Sequence, residues 1–351
     1  MTTSIDTSNK EFKNALDLIE RSNQSVFLTG RAGTGKSTFL KHLCHTTKKK
    51  YVVLAPTGIA AINAEGSTLH SFFKLPFRPM APDDADLSLV GGRIFEFFKY
   101  RKEHRKIIQE VELIIIDEIS MVRADTIDCI DRILRVYSNN MRTPFGGKQL
   151  VFVGDVFQLE PVVTPDTKEI INKFYKNAFF FSANVFHEIK LVPIEFTKIY
   201  RQTDEKFISI LNNIRNGRSN NSDLVLLNNR VDTSFNPKEE DMYIILATKR
   251  DNVDYINEKK MAELDTFQFI SYGIKEGDFP ESSLPTAQEL ILKERAQVMF
   301  IRNDVQWPRR WVNGTIGIVS AIDEEGHVYV LKEDGFEVKV ELETWRNYRY
   351  K

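Results

Sequence analysis

Gly30, Gly35, Lys36 and Ser37 stand in the stretch FLTGRAGTGKSTFL at the spacing G-x-x-x-x-G-K-[ST], with no mismatch. Glycines at such places let successive backbone N–H groups turn into one loop and face an anion. A helix starting at the lysine adds its partial positive charge. The loop residues Gly30, Ala32, Gly33, Thr34, Gly35, Lys36, Ser37 and Thr38 are therefore candidates for holding a nucleotide. Lys36 would reach the β- and γ-phosphates and Ser37 would ligate Mg²⁺. In LIIIDEIS, Asp117 and Glu118 follow an apolar run. Asp117 would hold Mg²⁺ through water, and Glu118 would orient or deprotonate an attacking water. Adjacent carboxylates favour hydrolysis over transfer to a metabolite, because a small-molecule kinase must exclude water from the γ-phosphate. Gln158, in VFVGDVFQLEPV, offers an uncharged amide that can bond a γ-phosphate or its water. Arg201, in TKIYRQTDEKF, could reach across a cleft to the γ-phosphate. Its spacing serves a structural ion pair equally well.

A second group of residues suits a sugar–phosphate backbone. Pro56, Thr57 and Gly58 follow the apolar run YVVLA, so their N–H and hydroxyl groups would emerge at a strand end. His70 and Phe72, in STLHSFF, could bond or stack on unpaired bases. Phe72 and Phe73 read better as core. The stretch RNDVQWPRRWVNG interleaves arginines with tryptophans, which fits single-strand stacking or a solvated hairpin; no site is assigned to it.

These groups act together only if the fold brings them to one edge of a sheet. SVFLT, YVVLA, ELIIIDE and QLVFVGD read as buried strands, and EFKNALDLIERS, Ser37 to about His45, and RADTIDCIDRILRVY read as helices. Apolar strands alternating with helices imply a parallel sheet covered on both faces, in which ligands bind beyond the strand C-termini. Residues 76–95 are rich in Pro and Gly and read as irregular loop. The KKK run at 48–50 reads as a solvated turn. From DEKFISILNNIRNG a second α/β unit begins, with MYIILAT as a strand and TKRDNVDYINEKKMAEL as a helix. AQVMFI, TIGIVSAI, HVYVLKE and FEVKVEL then read as short strands of a small antiparallel sheet or barrel, with turns at Glu325-Gly326 and Asp334-Gly335.

Length 351 implies two or three domains. A net charge of -1 confines any nucleic-acid site to a local basic groove. Two cysteines, Cys44 and Cys129, make neither a disulfide framework nor a zinc set and read as core thiols of a protein in a reducing compartment. Neither a signal peptide nor a membrane span is expected.

Taken in order, the stretches resemble the PIF-type (petite-integration-frequency) helicases, a 5′→3′ branch of helicase superfamily 1 related to RecD. The resemblance runs from about Phe12 to Lys351 and is most specific over RADTIDCIDRILRVYSNNMRTPFGGKQLVFVGDVFQLEPV. APTGIAA, TLHSFF, YRQ, LATKRDNVDYIN and AQVMFIRND with WVNGTIG agree in kind and order. It implies an α/β P-loop NTPase with two RecA-like parallel-sheet domains and a small inserted β-barrel, the second domain being incomplete. Residues 1–195 would be the first domain, with a wedge-loop region at about 75–110; 196–300 the partial second domain; 301–351 the barrel-like insertion. It implies ATP and Mg²⁺ as cofactors, with Ser37 and Asp117 on the metal. It makes Gln158 the coupler of ATP state to DNA and Arg201 an arginine finger. It lays Thr57, His70 and Thr248, beside Pro56 and Gly58, along single-stranded DNA. The implied activity is ATP-dependent 5′→3′ DNA unwinding at single-strand/duplex junctions in repair, recombination and telomere maintenance. The implied setting is a monomer, or a dimer on DNA, in bacterial cytoplasm or in a eukaryotic nucleus or mitochondrion.

Two departures qualify the resemblance. Members often carry a glutamine near the first helix that reads adenine; Lys13 stands at that place here, so base preference does not carry over. The sequence also ends at LETWRNYRYK, before stretches resembling IHKSQG-x-T and YVALSR. On that ground it is expected to be a truncated chain that binds nucleotide and unwinds poorly or not at all. The rival readings are a nucleotide-gated single-strand-binding module and a RecD-like subunit of a nuclease complex.

Overall fold

Four apolar residues in a row, Leu113–Ile116, are all buried because the strand they form is covered on both sides. The computed structural model describes residues 6 and 8–345, except 77, 201–203, 239–240, 277–283, 285 and 307. The chain divides into two compact units, one reaching Leu226 and the other beginning at Leu227. In the first, β1 (Val26–Gly30), β2 (Tyr51–Ala55), β3 (Ser67–Thr68), β4 (Leu113–Ile116), β5 (Gln149–Val153) and β6 (Val192–Phe196) form one sheet in the order β3-β2-β4-β5-β1-β6. Every pairing is parallel.

The period of two sorts the strand side chains onto two faces. Ile114, Ile116, Leu150 and Phe152 join one core cluster with the helix Ala124–Tyr137. Leu113, Ile115, Val151 and Val153 join the other, with Phe12, Ile19, Phe39 and Leu43 of the helices Lys10–Arg21 and Lys36–Thr46. The first of those helices starts where Asn9 Oδ1 accepts the N–H groups of Glu11 and Phe12. Phe72 and Phe73 are core residues, 2% and 0% exposed. Cys129 is buried and Cys44 half-buried, and burial pushes the Cys44 thiol up to about 11.

Residues 76–95 are largely irregular, with short 3-10 turns at Ala85–Leu87 and Val90–Gly92 and a helix over Arg93–Phe97. Met80, Leu87 and Ile94 tie the segment into the core. The KKK run is not a solvated turn throughout. The half-buried Lys49 donates from Nζ to Ile19 O at 2.6 Å, Ser22 O at 2.8 Å and Gln149 Oε1 at 2.7 Å. A long aliphatic stem let it reach orphan carbonyls at a helix end, which the composition of the run conceals.

The second unit holds the helix Arg250–Glu263 and a hairpin of β7 (Gln268–Tyr272) with β8 (Glu289–Lys293). It also holds an antiparallel sheet of β9 (Gln297–Met299), β10 (Ile316–Ile322), β11 (Val328–Lys332) and β12 (Glu337–Val340) in the order β12-β11-β10-β9. Gly326 and Gly335 take the left-handed backbone at its turns, at φ +82° and +80°. The strand expected over 242–248 does not form, and Tyr243, Ile244, Ile245 and Leu246 are exposed. A parallel strand needs a ladder partner and a covering helix. The sheets among the described residues of this unit are antiparallel and offer it neither. No helix among the described residues is long and apolar enough to cross a membrane.

Candidate active site

Three neighbouring strands, β4, β5 and β1, carry the predicted phosphate chemistry at their C-terminal ends. Adjacent strands lie about 4.8 Å apart, so groups leaving these three ends start within roughly 10 Å of one another. The glycine loop follows β1 and runs into the helix Lys36–Thr46. Ala32 and Gly33 form a turn, and Gly35 caps the helix at φ +87° and ψ 16°. At Gly30 a Cβ would fall 2.5 Å from Phe196 O and 2.8 Å from Thr34 Oγ1, so only glycine lets β6 and the loop meet. Thr34 is buried and donates its hydroxyl to Arg31 O at 2.8 Å, while Ser37 is exposed and Thr38 half-buried at the first helical turn.

Lys36 lies along this loop. Its Nζ donates to Gly30 O at 2.6 Å and Arg31 O at 3.0 Å. Burial pulls its ammonium below the ordinary lysine range; the charges of Asp155, Glu118 and Asp117 oppose that pull and Arg215 reinforces it. These five charges therefore share one site. Asp117 is held by the N–H it donates to Leu54 O at 2.9 Å, and its Oδ1 accepts the Glu118 N–H at 3.0 Å. Burial pushes the Asp117 carboxyl up to about 6, and the neighbouring Glu118 adds to the rise. Glu118 sits at φ +51° and ψ +43°, a left-handed backbone that a non-glycine residue adopts at a cost.

Asp155 leaves β5 and is 2% exposed. Its Oδ1 accepts the Phe157 N–H at 3.1 Å, and its Oδ2 accepts Gln158 Nε2 at 3.3 Å. Gln158 is thus brought to the site through Asp155. Arg215 completes the carboxylate's shell with Nη2 to Oδ1 at 2.8 Å and Nε to Oδ2 at 3.3 Å. Sequence reading missed both residues. Asp155 had a usable signal, an acid at the end of a buried strand; Arg215 closes a helix 60 residues later with nothing local to mark it. Tyr200 was missed too: its N–H donates to Gly33 O at 2.8 Å and its hydroxyl to Asp6 Oδ2 at 3.0 Å. Arg201 lies outside the described residues.

The expected DNA contacts of the first unit follow β2 and β3, on the other side of β4. Pro56, Thr57 and Gly58 leave β2 half-buried, and Thr57 Oγ1 accepts the Ala60 N–H at 3.2 Å to start the short helix Gly58–Asn63. His70 follows β3, half-buried, and burial together with the charge of Arg123 lowers its imidazole below the ordinary value. Thr248 belongs to the second unit, exposed just before the helix Arg250–Glu263. In the RNDVQWPRRWVNG stretch, Arg310 is paired with the buried Asp304 and lies over Trp311, whose ring stacks on Phe300 at 4.6 Å.

The model of the PIF1-like helicase family matches residues 7–224. The ATP-dependent DNA helicase Pif1 of Bdellovibrio bacteriovorus is 32% identical over 94% of this chain and 71% of its own length. The ATP-dependent DNA helicase PIF1 of Emericella nidulans is 34% identical over 92% of this chain, which spans only 43% of that relative. Among solved structures, Bacteroides sp Pif1 in complex with ADP-AlF4 superposes with a TM-score of 0.83 at 40% identity, covering 94% of this chain and 73% of that one. Bacteroides Pif1 bound to ssDNA gives a TM-score of 0.68 at 40% identity over 98% of this chain and 76% of that one.

Proposed function

Because the chain belongs to the PIF1-like helicase family, we propose that it hydrolyses ATP at the β1–β4–β5 edge and couples that hydrolysis to a grip on single-stranded DNA. The observation that carries this reading is the gathering of Lys36, Asp117, Glu118 and Asp155 around one glycine loop. The residues fit the nucleotide. The loop is built so closely that Gly30 has no room for a side chain, and Lys36 holds its ammonium against the loop carbonyls where a phosphate oxygen would displace them. They also fit Mg²⁺. Asp117 is a carboxylate whose burial makes its charge costly, a cost that a divalent cation offsets. Among the described residues no three carboxylate, imidazole or thiol groups form a metal cage. Asp117 and Ser37 would therefore hold a magnesium ion together with phosphate oxygens and water. Bound there, the ion would neutralise charge on the β- and γ-phosphates.

The chain's own groups supply the rest. Lys36 balances negative charge on the terminal phosphate, Glu118 orients or deprotonates water in line with it, and Gln158 senses whether the γ-phosphate is present. Thr57 and His70, at the ends of β2 and β3, contact the DNA backbone, Thr248 of the second unit contacts single-stranded DNA as well, and Arg201 acts as an arginine finger. Movement along DNA is 5′→3′, the duplex is opened at single-strand junctions, and the work belongs to genome maintenance. The acting species is a monomer or a pair on one DNA.

A second reading, nucleotide-gated binding without strand separation by these 351 residues, is favoured by the unformed strand at 242–248. Strand displacement measured beside ATP turnover separates the two. Lys36→Ala tests both. It is expected to abolish oligonucleotide-stimulated ATP hydrolysis, and turnover that survives it overturns the site.

A further inference from the structure

The reading above gives Arg215 no task, although its contacts are among the best formed in the site. It closes the helix Glu205–Arg215, and its guanidinium forks onto Asp155 while lying 4.3 Å from the centre of the Phe157 ring. The arginine side chain is 17% exposed and the aspartate 2%. The carboxylate also takes the Phe157 N–H and the Gln158 amide, and Asp155 O accepts the Gln158 N–H at 2.9 Å. The turn 155–158 is thus folded round Asp155, and Arg215 closes the one side that the turn does not supply.

We propose that Arg215 is a positioning residue: through Asp155 it holds the Gln158 amide beside the glycine loop and keeps Lys36 free for phosphate. The inference rests on the nucleotide-site reading given above. With Arg215 present, three carboxylates (Asp117, Glu118, Asp155) face two cations, Lys36 and Arg215. Without it, Lys36 is the one of these two cations that is left. A buried carboxylate that loses its partner recruits the nearest cation or rearranges. Lys36 is the cation in reach, and it would be drawn toward Asp155 and away from the loop mouth. The Gln158 side-chain amide, tied to the Asp155 carboxylate by a single 3.3 Å bond, would lose its fixed geometry in the same step. The same helix also buries Ile210, so its attachment does not depend on Arg215 alone.

The test uses the full chain and measures ATP turnover with and without an oligothymidine strand, together with binding of a fluorescent ATP analogue. Arg215→Ala is expected to lower the stimulated kcat about tenfold or more, since a small misplacement of a phosphate-sensing group costs that much. The Gln158→Ala/Arg215→Ala pair should be slower than the slower single variant by no more than about twofold, because both remove one arrangement. Arg215→Lys, which keeps the charge but not the fork, should recover only part of the rate. Losses that multiply in the double variant, or a full kcat in Arg215→Ala, overturn the proposal. Should Arg215→Ala fail to fold, Asp155→Asn carries the test with the same expected loss, and a full rate there overturns it. Lys36→Ala separates the two levels. If it still turns over ATP, the site reading fails; if it is inactive and the losses multiply, only the role of Arg215 falls.

Discussion

Glu118→Gly should stabilise the first unit while destroying its hydrolysis. Glu118 occupies a left-handed backbone at φ +51° and ψ +43°, between Asp117 and a 3-10 turn over Ile119–Met121. An L-residue there costs about 1–2 kcal/mol relative to its relaxed state. Glycine carries no such cost, but its freer unfolded chain returns about 0.5–1 kcal/mol. With both ranges at their midpoints the net gain is about 0.75 kcal/mol. Removing the Glu118 charge beside the buried Asp117 acts in the same direction, because that charge helps raise the Asp117 carboxyl to about 6. For a unit of roughly 200 residues, 1 kcal/mol moves the melting temperature by about 2–4 °C, so an increase of about 1–4 °C is expected. Loss of the group that orients or deprotonates water should lower ATP turnover about 100-fold or more. Glu118→Gln is the necessary control. It removes the charge and the base but keeps the backbone cost, so it should be as inactive as the glycine variant and melt below it. Thermal unfolding of wild type and both variants, without nucleotide and beside ATP turnover, reads all of this. A glycine variant that melts at or below the glutamine variant refutes the strain, and one that hydrolyses ATP at the wild-type rate refutes the role of Glu118. Strain of this sign at a reacting group is what a site selected for geometry over stability should hold.

Two further expectations concern stretches that the sequence left open between nucleic-acid contact and a structural part. Phe72, packed edge-on against Phe73 at 4.9 Å, should on substitution by alanine cost about 3–5 kcal/mol of stability, with oligonucleotide affinity of the folded fraction unchanged in a titration below the melting point. Asp304 accepts Arg310 Nε at 2.7 Å and Nη2 at 3.0 Å, which holds its carboxyl well below the usual carboxylate range. A depressed folded value means the pair stabilises fully above about pH 4, the unfolded value, and loses that contribution as pH falls through the folded one. Melting of the β-rich unit should therefore drop between about pH 4 and pH 2, Asp304→Asn should flatten that slope, and an unchanged slope in the variant contradicts the assignment.

The parts of this molecule that were legible in its sequence are those whose signal is local. The glycine loop, the acids after LIII and the glycines of the β-rich turns each declare a backbone need within a few residues. The two-faced burial of β4 and β5 likewise follows from uninterrupted apolar runs. What stayed hidden depends on residues far apart in the chain. Lys49 looked like one of three solvated lysines, yet it bonds carbonyls at the end of the first helix and an amide 100 residues on. Asp155 and Arg215 are separated by 60 residues, with a helix, two 3-10 turns and a strand between them, so no short window of sequence contains both. MYIILAT carries a strand's pattern and forms none, because a strand is made by its neighbours and not by its own side chains.

The strand order sets the proposed phosphate chemistry and the proposed DNA contacts of the first unit on one sheet without collision. β4 stands between β2 on one side and β5 on the other. The loop after β1 and the turn after β5 therefore fall on one flank of Asp117, and the groups after β2 and β3 fall on its other flank. The two flanks are joined by the β2–β4 ladder, whose last bond, Asp117 N–H to Leu54 O at 2.9 Å, lies three residues before Thr57. β2 is buried over four of its five residues and packed into both cores, so it can move only as a unit. In the proposed mechanism this sheet is the part of the first unit that would relate the phosphate site to the DNA contacts at its far edge.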